Sequence, residues 1–190
     1  MNGISDPGLL PQPGFTSPNV PAFVQSGDVV QYKQSTEQTI GNGVIGEHMF
    51  FDELVTDIAN AGLAAPSPLD KGKITIFNRG VYWVTVNIPI SSIGTQTPPN
   101  TDRMAILSSL ALHTEAGVLH SETPSTITIF NGNNEAYTIL IDVCIVCSTP
   151  NMYVNIPCYS YNATGLTIDT ISNDIVYPTI TISLIRPIQE

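Results

Sequence analysis

Positive charge is what this chain has least of: six Lys and Arg in 190 residues, against sixteen Asp and Glu, for a formal net charge of -10. Lys33, Lys71, Lys73, Arg79, Arg103 and Arg186 are scattered and form no stripe that would neutralise phosphates, which excludes nucleic acid and anionic membrane surfaces as expected partners. Charge of either sign is sparse, at 12% of residues, while 42% are hydrophobic. That is too apolar for a disordered chain. Long apolar runs are also missing: no stretch nears the 18 or so residues of a membrane-spanning helix. Cysteine is limited to Cys144, Cys147 and Cys158. With an odd count and no basic, apolar signal-peptide pattern at Met1–Pro7, the expectation is reduced thiols in a chain made in a cytosol. Cys144 and Cys147 form a CxxC, but in a strand positions i and i+3 face opposite ways, so they are read as structural thiols.

What is there is proline first, then strands. Residues 1–26 hold Pro7, Pro11, Pro13, Pro18 and Pro21, a density that excludes helix and central strand and leaves an extended track. Leu9, Leu10, Phe15, Val20 and Phe23 punctuate it at intervals, as expected of an arm that lies in a groove on a neighbouring subunit. From residue 27 the pattern is β. Strands are expected over Asp28–Gln34, Gly46–Phe51, Lys73–Phe77, Val81–Ile90, Arg103–His113, Ser125–Phe130, Ala136–Cys147, Asn151–Ser160, Thr164–Thr170 and Pro178–Arg186. Val81, Trp83 and Thr85 share one face of their strand, and Tyr82, Val84, Val86 and Ile88 share the other. The spacing of Leu54, Val55 and Ile58, with Asp52 as N-cap and Gly62 as stop, predicts one helix over Asp52–Ala61. Asn131–Asn134 reads as a tight turn. Many short strands with brief turns indicate an all-β sandwich or barrel.

The stretch Lys73–Asn87 (KITIFNRGVYWVTVN) is similar to the strand-turn-strand of the tumour necrosis factor and complement-head jelly rolls, in which an alternating strand meets a Gly-x-Tyr turn, here Gly80 and Tyr82. The strand order through the final Thr179–Arg186 strand fits as well. The resemblance spans about residues 27–190. It implies a single TNF-like jelly-roll sandwich with an extended N-terminal arm, and trimerisation about an axis lined by apolar strand faces. Tyr82, Tyr137, Ile139 and Ile141 are the residues it would place at that axis. Such sandwiches recur among viral capsid-associated proteins: minor capsid and decoration proteins, pentons and fibre heads. The function it implies is a virion structural protein, a homotrimer on the capsid outer surface, anchored to the major capsid protein or neighbouring shell subunits by its arm. A trimeric receptor- or carbohydrate-binding head is the alternative, favoured if Tyr153, Tyr159 and Tyr161 cluster at one end.

Candidate chemistry is thin. His113/Glu115 and His120/Glu122 repeat a His-x-Glu spacing across a turn at Gly117, which puts a nitrogen and a carboxylate on one strand face, in principle a metal pair; solvated hairpin residues are the expected outcome. His48 stands alone as a strand histidine. Glu47, Asp52, Glu53 and Asp57 read as solvated acids rather than a glycosidase pair. Asp142 interrupts the most apolar strand and calls for a partner among Arg79, Arg103 and Arg186 if it is buried. Asn162-Ala163-Thr164 matches a glycosylation pattern and is read as a turn. No catalytic residue, metal or cofactor is expected, and the mechanism is assembly rather than catalysis.

Overall fold

The computed structural model describes residues 27–40, 47–58, 62–94, 104–124, 126–130, 136–161, 166–173 and 175–188. Its strands are β1 (Val29–Lys33), β2 (Thr39–Ile40), β3 (Glu47–His48), β4 (Glu53–Asp57), β5 (Ala64–Pro66), β6 (Ile74–Ile76), β7 (Gly80–Gly94) and β8 (Met104–Ser108). Then come β9 (Ala111–His113), β10 (Leu119–Glu122), β11 (Thr126–Phe130), β12 (Ala136–Cys147), β13 (Met152–Asn155), β14 (Pro157–Tyr161), β15 (Leu166–Thr170) and β16 (Thr179–Pro187). Among the described residues there is no helix.

The long strand β7 organises the inner layer. It pairs with β12 over its first twelve residues on one side, and on the other with β16 and then β15. The sheet continues from β16 to β1 and β4, and from β15 to β2. The second layer consists of β10-β9-β13-β6-β5 and β11-β8-β14-β3. Because β9 follows β8, β11 follows β10 and β14 follows β13 in matching order, these are two ends of one outer layer, broken at Ser109–Leu110 and Ile156. Antiparallel pairing throughout and two facing layers make a jelly-roll sandwich.

Alternation of β-branched residues explains the elements. In β16, Ile180, Ile182 and Leu184 are buried while Thr179, Thr181 and Ser183 face out; in β7, Tyr82, Val84, Val86 and Ile88 are buried. They pack in one core with Ile74, Ile76, Ile106, Leu112, Met152, Val154 and Cys158 from the outer layer. Tyr82 folds back so that its hydroxyl donates to the Asn78 carbonyl at 2.8 Å. Its ring then lies where a Cβ on residue 80 would stand 2.9 Å from Cε2 and 2.7 Å from Leu184 Cδ1, so the Gly-x-Tyr turn needs its glycine. At one end, Gln34 and Gln38 bond each other and the Thr170 hydroxyl, tying β1, β2 and β15 together.

The predicted helix over Asp52–Ala61 is not formed: Glu53–Asp57 is β4, paired with β1, and residues 59–61 lie outside the described residues. Asp52 does not cap a helix. Its carboxylate accepts from the Ser35 amide and hydroxyl and from Lys71, and its amide donates to the Lys33 carbonyl. A free strand edge with ladder bonds to offer outweighs the intrinsic preference of a short amphipathic segment. The single strand expected over Arg103–His113 is two strands, β8 and β9. The proposed arm, the Asn131–Asn134 turn and Asn162–Thr164 lie outside the described residues.

Candidate functional site

The outward face of the inner sheet is the most distinctive surface. Strand register places Cys144, Trp83, Ser183 and Val29 in one row across four strands. Asp142, Thr85, Thr181 and Gln31 form the next, followed by Leu140, Asn87, Thr179 and Lys33. Val146 and Val81 pair above Trp83. Polar groups in these rows bond each other: the Thr85 hydroxyl donates to Asp142 at 2.8 Å, and Gln31 Nε2 to Thr181 at 3.0 Å. Lys33 pairs with Glu53 at 3.0 Å and lies over the Tyr177 ring. Trp83, Leu140, Val146 and Ile185 remain exposed. The result is a sheet face with Trp83, Val81, Val146 and Ile185 toward one end, where exposed Arg186 lies across from Val81, and with polar rows below that include the Asp142 carboxylate and the Lys33–Glu53 pair.

Of the four residues expected at a trimer axis, three are buried within the single chain. Tyr82 is 0% exposed, Ile139 1% and Ile141 5%, all within the core of one chain; Tyr137 is half-buried against that core. The reason is the two-residue period: β12 is apolar on both faces, and the inward set is Ile139, Ile141, Ile145 and Cys147, leaving Leu140, Asp142, Cys144 and Val146 outside. The large apolar residues on the outward face are instead their strand neighbours Leu140, Val146 and Trp83, which sequence reasoning passed over. The arm residues Leu9, Leu10, Phe15, Val20 and Phe23 lie outside the described residues. Asp142 needs no buried arginine, since it is exposed and held by Thr85.

The thiols divide as the CxxC geometry requires: Cys144 is exposed and Cys147 buried. Burial pushes the thiols of Cys147 and Cys158 up to about 12, so neither is a nucleophile in the folded chain. The second His-x-Glu pair sits on the edge strand β10 beside a groove of 430 Å³ shared with β12. Glu122 there accepts from the Ser109 hydroxyl at 2.5 Å.

The first pair separates. Glu115 is exposed at the hairpin, while His113 stacks on Tyr153, its partner across β9 and β13, with ring centroids 4.9 Å apart and planes within 5°. Lys73 sits 5.1 Å above the Tyr153 ring and pairs with Asp70 at 3.2 Å. Two residues along β13, Asn155 is buried, and its Nδ2 lies 3.4 Å from His48 Nε2. His48 rests against Gly72, where any Cβ would come within 2.7 Å of the His48 Cβ. Desolvation lowers the His48 pKa; Asp70 opposes this and His113 and Lys73 add to it. His113 Nδ1 and Asn155 Oδ1 are buried without a hydrogen-bond partner. Among the described residues, no three His, Cys, Asp or Glu side chains converge as a metal-binding group. Tyr153 is thus engaged by both His113 and Lys73.

No family model matches this chain, and no curated protein matches it. Solved structures do. It is similar to the Eiger TNF of S. frugiperda, with a TM-score of 0.52 at 8% identity, covering 87% of this chain and 97% of that one. Murine APRIL matches at pH 8.5 (TM-score 0.51, 7% identity) and at pH 5.0 (0.52, 7%), each over 84% of this chain and 100% of that one. At such identities the likeness speaks for backbone architecture alone: this chain has a TNF-like jelly-roll fold.

Proposed function

We propose that this chain is an assembly module, a homotrimeric jelly roll that covers the outward face of its inner sheet with copies of itself. The observation that carries this reading is that face: three paired strands, β7, β12 and β16, presenting Trp83, Leu140, Val146 and Ile185, with Thr85 bonded to Asp142 and Gln31 to Thr181 beside them. Covering such a surface removes apolar area from water, with Asp142 and Arg186 the exposed charges that a partner must accommodate. A closed ring of three is what the resemblance of the Lys73–Asn87 stretch implies, and a closed ring leaves no sticky surface for open-ended growth.

The finer reading places the trimer on the outer side of a virion shell, fastened by residues 1–26 to the major capsid protein or to neighbouring shell subunits. Two features of the sequence support it. Proline at five positions of that segment keeps it extended, so ordering it against a shell costs less entropy than ordering a flexible tail. The scarcity of basic residues suits the outer side of a shell rather than the side facing a genome. Mass photometry of the full chain and of residues 27–190, each alone and with purified capsid shells, tests both levels. Trimers in both versions, with shell binding confined to the full chain, are the expected result. Single chains throughout defeat the trimer, and unchanged shell binding by residues 27–190 defeats the arm.

A further inference from the structure

We infer, on the reading that the outward face of the inner sheet is covered by copies of the same chain, that Asp142 of one copy pairs with Arg186 of its neighbour and that this ion pair sets the register of the contact. Both residues break the local rule of their strands. Asp142 is the one charged residue of β12, and it faces outward between Leu140 and Cys144. Arg186 is carried to the same face by a bulge. Alternation along β16 turns Ile180, Ile182 and Leu184 inward, and on its own would turn residue 186 inward as well. The register shifts between Leu184 and Arg186, so Arg186 stands instead across from Val81, on the side of Trp83. Bulges of this kind re-aim a side chain, and they are placed features of a strand rather than defects.

Within one chain the two cannot meet. Asp142 is aligned with Thr85 and Thr181, and Arg186 with Val81, so they stand two strands apart and four residues apart along β7. At about 4.8 Å between strands and 3.4 Å per residue that is ~16 Å, beyond the combined reach of the two side chains. Neither enters an ion pair among the described residues. Lys33, the other cation on this face, is already taken by Glu53. In the single chain both groups are exposed, and the Thr85 hydroxyl bonds one oxygen of the Asp142 carboxylate. Covering the face withdraws the water around them, and a charge buried without a partner is costly. The two charges left over are opposite in sign and equal in number, one of each per chain, so each copy supplies what its neighbour lacks. The guanidinium presents a fork of donors that suits a carboxylate, and Thr85 leaves the second oxygen of Asp142 open to it. A pair of this kind fixes register and partner choice more than it adds affinity.

The test is sedimentation velocity of the full chain beside Asp142→Lys, Arg186→Glu and the double exchange. Each single reversal sets like charge against like and is expected to raise the association concentration by about tenfold or more. The double exchange rebuilds the pair with its signs reversed and returns association toward the wild-type concentration. Both positions are exposed, so the variants keep the fold, which their melting curves check. If a reversal does unfold the chain, Asp142→Asn and Arg186→Gln take its place: each strands one charge and weakens association, and the two together recover it. Single variants that associate as the wild type does overturn the pairing and leave self-association standing. So does a double exchange no better than the weaker single. A wild type that stays single at every concentration overturns self-association, and the pairing with it.

Discussion

Trp83 is the only tryptophan in the chain, and it stands in the middle of the face assigned to self-association, between Cys144 and Ser183. In the single chain 43% of it is exposed. On a side chain that offers about 250 Å², that leaves ~100 Å² to be covered by a neighbour. At about 25 cal/mol per Å² the gain is ~2.5 kcal/mol per subunit, an upper figure because ordering costs are left out. Trp83→Thr removes it while keeping a strand former of the kind already found beside it, at Thr85 and Thr181. Over three subunits, in an equilibrium that scales as the square of concentration, the concentration at which subunits associate is then expected to rise by about 600-fold. Sedimentation velocity reads the variant, and tryptophan emission reads the wild type, with a blue shift as the protein is concentrated into its assembled form. Emission that stays at the solvated position in a species shown by mass to be assembled refutes the assignment of this face. So does a Trp83→Thr chain that associates at the wild-type concentration.

Three further outcomes follow from the geometry. Gly80→Ala sets a Cβ 2.7 Å from Leu184 Cδ1 and 2.9 Å from the Tyr82 ring; Leu184 turns aside, but Tyr82 is pinned by its bond to Asn78. The cost is about 1–3 kcal/mol, or a fall in Tm of about 2–4 °C per kcal/mol in a domain of this size; an unchanged melt denies the close approach. In Trp83→Thr kept dilute as single chains, a thiol reagent at mildly alkaline pH reacts with one cysteine per folded chain, Cys144, and with all three in denaturant. Two or more in the folded chain contradict the burial that holds Cys147 and Cys158 at about 12. Burial alone would raise the Asp52 carboxyl, but Lys71 and the two Ser35 donors outweigh it and hold its pKa below the ordinary value. The folded chain therefore releases that proton more readily than the unfolded one. Its stabilisation is present above the unfolded carboxyl value and is lost as pH falls through the lower folded value. Asp52→Asn flattens the acid limb of a Tm-against-pH profile, and an identical limb in the variant removes Asp52 from the account.

Wherever burial and period coincide, the sequence was sufficient to read the structure. The inward and outward sets of β7 and β16, the opposite facing of Cys144 and Cys147, and the all-β class follow from alternation and turn residues, while the jelly roll was implied by the resemblance of Lys73–Asn87. Where both faces of a strand are apolar, alternation gives no direction. That is why Ile139 and Ile141 were expected at an axis and instead fill the core, while Leu140 and Val146 look outward. In β4 the local pattern of Leu54, Val55 and Ile58 favours a helix, and the deciding term, the open edge of β1, is set by residues distant in the chain. The outward facing of Arg186 has no spacing signature. It is set by the bulge after Leu184, which shows only in the pairing with β7 and which no local window of sequence contains.

Sedimentation equilibrium of the full chain across a wide concentration range tests the central claim most directly, that the outward face of the inner sheet closes a ring of three. One chain is 20.4 kDa. The account predicts a limiting mass of about 61 kDa, the closed trimer, shifted toward single chains by Trp83→Thr. A single chain at every concentration, or a dimer that Trp83→Thr leaves untouched, contradicts it.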